Sequence, residues 1–196
     1  HIRPNYDIAY ANLGAVLKEL GKFKQAITAC KKAISIEPNN SVAYSNLGAV
    51  LKELGKFQEA VNACKKAISI QPNNLGALRN LALALQELGE IEKAITCFSK
   101  LSKIETNPSN SYQNLGKLNV MLGNKKEAIN FYQLAIKNDP ENFSNYYNLF
   151  DLDKNQWFDF KKSNTDISEN LILQKIKERL TAKEKGDFKL ADKIRN

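Results

Sequence analysis

The sequence predicts an all-α solenoid of antiparallel helix pairs, from a fixed repeat length, a helical apolar pattern and regularly placed glycines. The repeat length is 34 residues, with no insertion between equivalent asparagines. These asparagines are Asn12, Asn46, Asn80, Asn114 and Asn148. Repeats of this length stack on their neighbours, so we divide the chain into four full units: 7–40, 41–74, 75–108 and 109–142.

The first helix of each unit is predicted from its apolar residues. In the first unit these are Tyr10, Leu13, Gly14 and Leu17, at places 4, 7, 8 and 11 counted from the start of the unit. At ~100° per residue these places form one stripe of a helix. The stripe includes a glycine although glycine costs ~1 kcal/mol against alanine in a helix. We therefore expect a second helix to approach closely at Gly14.

Glycine and proline mark where the helices end. A glycine at the C′ position, where a left-handed backbone is needed, ends the first helix. These glycines are Gly21, Gly55, Gly89 and Gly123. The second helix, which contains Ala26 and its equivalents, ends before Pro38, Pro72 and Pro140. The third unit has Thr106 in place of this proline and Pro108 two residues later, so we expect an altered turn there.

The pattern decays toward both ends. Residues 143–170 predict a degenerate fifth unit and an irregular cap, in which Tyr146, Asn148 and Leu149 keep first-helix places. Residues 171–196 predict a basic helical hairpin that is cut off. Residues 1–6 fit the end of an earlier unit or a cloning scar, so the chain looks cut from a longer array.

Composition limits the possible classes of protein. No membrane span is predicted, because no apolar run is long enough, and no signal peptide is predicted, because no charged and then apolar segment opens the sequence. The net charge is +8, and residues 171–196 carry eight basic against four acidic side chains. Three cysteines without a CxxC motif, and His1 as the only histidine, predict no metal site. Buried reduced cysteines fit an intracellular compartment, and we expect a cytoplasmic protein without cofactor.

The recurring Tyr-x-x-Leu-Gly, Gly-x-Phe, Ala and Pro-Asn-Asn elements resemble the tetratricopeptide repeat (TPR). The resemblance covers residues 7–142 and implies a right-handed superhelix whose first helices line a concave groove. The Asn-Leu-Gly form is similar to the repeats of O-linked N-acetylglucosamine transferase and its bacterial relatives.

The repeated asparagines lie opposite the apolar stripe, at place 6 of each unit. Places 2, 9 and 13 share that face. The resemblance to the TPR implies that this face lines the concave groove. Two readings stay open. The amides could bind the backbone of an extended peptide, as in the transferase family, or they could bond to an adjacent helix and set repeat packing.

Further candidates for ligand binding lie beside the asparagines. Lys18 and Lys52 are at the groove edge, where a solvated rim is the alternative. Arg79 and Gln113 break the small-residue pattern at place 5, and Lys117 is at place 9 of the fourth unit. The carboxylate clamp of chaperone-binding TPR domains is rejected, because its cations are missing at Ala11, Gly76 and Asn80.

The predicted function is recognition of a protein or peptide in the groove, without catalytic residues, because no nucleophile, phosphate-loop or zinc-protease motif occurs. The alternative is a substrate-recognition arm of a larger glycosyl- or sulfo-transferase. A third hypothesis is nucleic-acid binding by the basic tail, which the lack of aromatic–basic interleaving disfavours. Oligomers could form through exposed terminal helices.

Overall fold

The computed structural model describes residues 6–152 together with 174, 177–178, 181–182 and 185. Residues 6–152 form nine α-helices, and no strand occurs among the described residues, which confirms the all-α prediction. The helices are α1 (Tyr6–Glu19), α2 (Phe23–Ile36), α3 (Ser41–Glu53), α4 (Phe57–Ile70), α5 (Leu75–Glu87), α6 (Ile91–Ile104), α7 (Ser109–Met121), α8 (Lys125–Asn138) and α9 (Phe143–Leu152).

The described residues fall into two compact units, with the division between Glu105 and Thr106. In the first, α1 packs on α2, α3 on α4 and α5 on α6. The first helices also contact each other directly, α1 with α3 and α3 with α5, and each second helix contacts the first helix of the next repeat, α2 with α3 and α4 with α5. In the second, α7 packs on α8 and α8 on α9.

The predicted glycine stops are confirmed. Gly21 has a φ of 69°, and its N–H donates to the Lys18 carbonyl over 2.9 Å. The next N–H, of Lys22, donates to the Leu17 carbonyl over 2.8 Å. These two bonds form the Schellman motif, in which the left-handed residue lets the chain turn back and satisfy the last carbonyls. Gly55, Gly89 and Gly123 share the positive φ.

The glycine in the apolar stripe lies where the second helix of the pair approaches closely. A Cβ added at Gly14 would lie 2.5 Å from the Sγ of Cys30, which is fully buried. Gly48 has the same relation to Cys64. A Cβ at Gly116 would lie 2.5 Å from the Tyr132 ring. The repeated cysteine thus fills the space that the glycine leaves, which explains why both recur with the period.

Asparagine side chains start two of the first helices and also join neighbouring repeats. The Oδ1 of Asn40 accepts from the Ala43 N–H, which caps α3, while its Nδ2 donates to Asp7 over 2.8 Å. Asn74 caps α5 through the Ala77 N–H, and its Nδ2 donates to the Ser41 hydroxyl over 2.6 Å. α7 differs, because its N-cap is Pro108, which has no capping side chain. The predicted alteration of the turn in the third unit is therefore confirmed.

Toward the C-terminus, α9 provides the helix that the degenerate fifth unit predicted. Its Tyr146, Tyr147 and Leu149 are buried and pack with α8. The predicted irregular cap falls on residues 153–170, which lie outside the described residues. Most of the basic hairpin, of which positions 174, 177–178 and 181–182 are helical, also lies outside them.

Candidate functional site

In the first compact unit, α1, α3 and α5 lie side by side and present one continuous face away from α2, α4 and α6. Asn12 is exposed on this face, and Asn46 and Asn80 are partly buried. One helical turn before two of these amides lie Ile8 and Val42, which remain 49% and 50% exposed. The face therefore combines amides with apolar side chains, and we call it the inner face.

The asparagines do not share one role, although they share one place in the repeat. Asn46 donates from Nδ2 to the backbone carbonyl of Ala11 over 2.9 Å, which ties α3 to α1. Neither Asn12 nor Asn80 has a side-chain hydrogen bond to a described residue. An amide has two donor hydrogens and one acceptor oxygen. Asn46 therefore supports repeat packing with one donor and leaves its Oδ1 for another partner.

The two candidate lysines at the groove edge pair with the glutamates that follow them. Lys18 lies 2.7 Å from Glu19, and Lys52 lies 2.7 Å from Glu53. The hydrogen bond from Lys52 lowers the pKa of the Glu53 carboxyl, which burial only partly offsets. The rim therefore presents two lysine–glutamate pairs and not two free cations.

Arg79 is also held by a carboxylate. Its guanidinium pairs with Glu105, whose side chain is only 6% exposed, while the Arg79 side chain is 50% exposed. The equivalent residues Ala11 and Ser45 are buried. The arginine therefore links α5 to the residue that follows α6, and about half of its side chain still faces solvent.

In the second compact unit, the predicted site residues bond mainly to each other and to their own helix. Asn114 donates to the Asn110 carbonyl over 2.8 Å, four residues earlier in α7. Gln113 donates to the Ser144 hydroxyl over 2.9 Å, and Lys117 lies 3.4 Å from the Gln113 Oε1. The Nδ2 of Asn148 is buried without a bond to a described residue. The amides in this unit are less available than Asn12 and Asn80.

Ile8 and Val42 were missed as candidate binding residues. Sequence reasoning placed them on the correct face but gave weight only to polar side chains there. Their signal was an apolar residue at place 2, opposite the core stripe, where burial gives no reason for one.

Among the described residues, no cluster of three or more His, Cys, Asp or Glu could hold a metal ion. None of the described helices has the length and apolar character needed to span a bilayer. The three cysteines are unpaired, and burial raises the pKa of Cys30 to about 11 and that of Cys64 to about 12. Such thiols act as packing groups and not as nucleophiles at neutral pH.

Two family models of the tetratricopeptide repeat match the chain, one at residues 8–40 and 41–74 and the other at 73–141. A search of curated protein sequences found no match. Several solved structures are similar in fold. PilF of Pseudomonas aeruginosa is 20% identical, with a TM-score of 0.73 over 96% of this chain and 88% of that one.

Two other similar structures carry descriptions that mention peptides. YrrB, described as a TPR protein with an unusual peptide-binding site, is 18% identical with a TM-score of 0.66 over 88% of this chain and 93% of that one. The first TPR of Spaghetti (RPAP3), bound to an HSP90 peptide, is 22% identical with a TM-score of 0.58 over 60% of this chain and 96% of that one. At these identities the likeness concerns the fold.

Proposed function

Because the chain belongs to the tetratricopeptide repeat family, we propose that its first compact unit binds an extended peptide of a protein partner along the inner face. The observation that carries the proposal is the pair of unbonded amides, Asn12 and Asn80, on either side of Asn46 with its open Oδ1. An extended backbone exposes N–H and C=O groups alternately, which amides can bind as both donor and acceptor. The peptide-binding descriptions of YrrB and RPAP3 agree with this use of the fold.

The same face indicates what kind of peptide would bind. Ile8 and Val42 offer exposed apolar contacts beside the amides, so the peptide should carry small or medium apolar side chains. A free terminal carboxylate is disfavoured, because Ala11 is 1% exposed and the other two places where a carboxylate clamp has a cation hold Gly76 and Asn80. We therefore expect an internal segment recognised mainly through its backbone. The stacked helices hold the contact groups in place before binding, which lowers the ordering cost.

The test uses peptides selected on the wild-type protein from a displayed library of random linear sequences. We expect the double variant Asn12→Ala/Asn80→Ala to bind those selected peptides that carry no acidic residues about thirtyfold more weakly, since two lost hydrogen bonds at ~1 kcal/mol each amount to ~2 kcal/mol. Its thermal midpoint should stay unchanged. The matched control is Asn130→Ala, an exposed asparagine on α8, which should bind like the wild type.

Asn46→Ala separates packing from binding. It removes the bond to the Ala11 carbonyl and should destabilise the protein by ~1 kcal/mol whether or not a peptide is present. Unchanged affinity of the peptides without acidic residues for Asn12→Ala/Asn80→Ala would contradict a role for the inner-face amides, and the proposal would then fail.

A second candidate function, the recognition arm of a larger glycosyl- or sulfo-transferase, is favoured by the repeated Asn-Leu-Gly motif alone. The full open reading frame decides it, since a transferase domain in the same frame is required. A cytoplasmic location remains our proposal from the three unpaired cysteines, and subcellular fractionation tests it.

A further inference from the structure

The first compact unit has a second concave feature, which lies behind α3 and not on the inner face. It is a cleft of about 510 Å³ between α2, α3 and α4. α3 contributes Tyr44 and Leu47, which belong to its apolar stripe and therefore point away from Asn46. Leu51 from α3, Ile27 from α2 and Ala63 from α4 complete the apolar part. We call this feature the outer cleft.

The apolar floor of the outer cleft is incompletely covered by the protein. Tyr44 and Leu47 are only partly buried. Their equivalents one repeat later, Leu78 and Leu81, are 3% and 7% exposed. The packing of the repeats can therefore bury both places in the stripe, but beside α2 and α4 it leaves Tyr44 and Leu47 partly exposed. The small Ala63, where the next repeat has Cys97, leaves additional space.

The rim of the outer cleft is basic. Lys31, Lys56 and Lys66 line it, with Glu59 as the one acidic lining residue. Glu59 pairs with Lys56 over 3.0 Å. Lys31 and Lys66 are exposed, and no described carboxylate pairs with either. The equivalent of Lys66 one repeat later, Lys100, donates to the Pro72 carbonyl over 2.7 Å, so that lysine is engaged.

We propose that the outer cleft is a second peptide-binding site, which takes an acidic segment of a protein partner with one bulky apolar side chain. The apolar side chain would enter between Tyr44 and Leu47, where it removes exposed apolar surface from water. Carboxylates on either side of it would meet Lys31 and Lys66. Charge complementarity selects the acidic segment, because the two unpaired rim groups are both cations. The site does not depend on the inner face and goes beyond the proposed function.

The test exchanges the charge of the rim without touching the core. The variant Lys31→Glu/Lys66→Glu reverses the two unpaired rim cations. The matched control Lys32→Glu/Lys65→Glu changes the net charge equally on the same two helices, at exposed positions outside the cleft lining. Random linear peptides are panned on the wild type, and those that contain several acidic residues around an apolar one are titrated against both variants.

We expect such peptides to be enriched, to bind the control like the wild type, and to lose about tenfold or more in affinity to Lys31→Glu/Lys66→Glu. They should bind Asn12→Ala/Asn80→Ala normally, which separates this site from the inner face. The proposal is overturned if no acidic peptides are enriched, or if they bind both charge variants equally. Loss of a single-stranded oligonucleotide, but of no peptide, in Lys31→Glu/Lys66→Glu would also overturn it, because the cleft would then serve nucleic acid.

Discussion

The close contact between Gly14 and Cys30 predicts that the effect of Gly14→Ala on stability changes sign when residue 30 is replaced by alanine. A Cβ at position 14 would lie 2.5 Å from the Cys30 Sγ, far inside van der Waals contact, in a place where both residues are buried. Overpacking of this kind costs ~1–3 kcal/mol. The gain in helix propensity from Gly14→Ala is only ~1 kcal/mol, so the variant should be neutral to ~2 kcal/mol less stable than the wild type.

In a Cys30→Ala background the same change should be stabilising. The nearest remaining atoms to the new methyl group are then the Ala26 carbonyl oxygen at 3.4 Å and the backbone nitrogen of residue 30 at 3.6 Å. These are ordinary contacts, so the helix-propensity gain of ~1 kcal/mol is recovered. For a chain of this size that gain corresponds to a rise of ~2–4 °C in the thermal midpoint.

The assay is a double-mutant cycle on the wild type, Gly14→Ala, Cys30→Ala and the double variant, measured by urea unfolding and by thermal melts. Gly48 and Cys64 provide an independent copy of the cycle in the second repeat. If Gly14→Ala stabilises the protein equally in both backgrounds, the sulfur does not limit the approach of α2 to α1, and the explanation for the repeated pair is refuted.

Two further predictions concern the turns and the thiols. Gly55→Ala should cost ~1–2 kcal/mol, because φ is 72° and a Cβ is strained there although no atom lies near it; equal stability of this variant in urea would contradict that reasoning. Stability should fall as the pH rises above 9, because burial raises the folded-state pKa of Cys30 to about 11 and of Cys64 to about 12, so that the unfolded chain loses these protons first. Urea midpoints from pH 8 to pH 11 on wild type and Cys30→Ala/Cys64→Ala measure the cysteine contribution, and an identical pH dependence of the two proteins would exclude it.

The helices could be predicted from the sequence because each local signal agreed with the repeat. The apolar stripe predicted α1, Gly21 predicted where α1 ends, and Pro38 predicted where α2 ends. Each of these signals depends on neighbouring residues alone. The altered turn at Thr106 was predicted for the same reason. The hydrogen-bond partners of the repeated asparagines could not be predicted from the sequence. Asn46 and Asn80 occupy the same place, yet only Asn46 reaches the preceding helix.

The outer cleft could not be predicted for a related reason. From the sequence, Tyr44 and Leu47 are predicted to be core residues, as are Leu78 and Leu81. In the structure Tyr44 and Leu47 stay partly exposed beside α2 and α4, whereas Leu78 and Leu81 are buried. Periodicity identifies the face on which a residue lies. How completely that face is covered depends on the volumes of side chains from three helices.

The asparagines that begin α3 and α5 link helix initiation to the presence of the preceding repeat. Asn40 uses its oxygen for the first turn of α3 and its nitrogen for Asp7, so the cap is held in position from the neighbouring repeat. Asn74 does the same with Ser41. A repeat that unfolds therefore weakens the nucleus of the next helix, which raises the nearest-neighbour coupling of the array. The first compact unit should consequently melt as one cooperative block, with fewer partly folded species than isolated helix pairs would give.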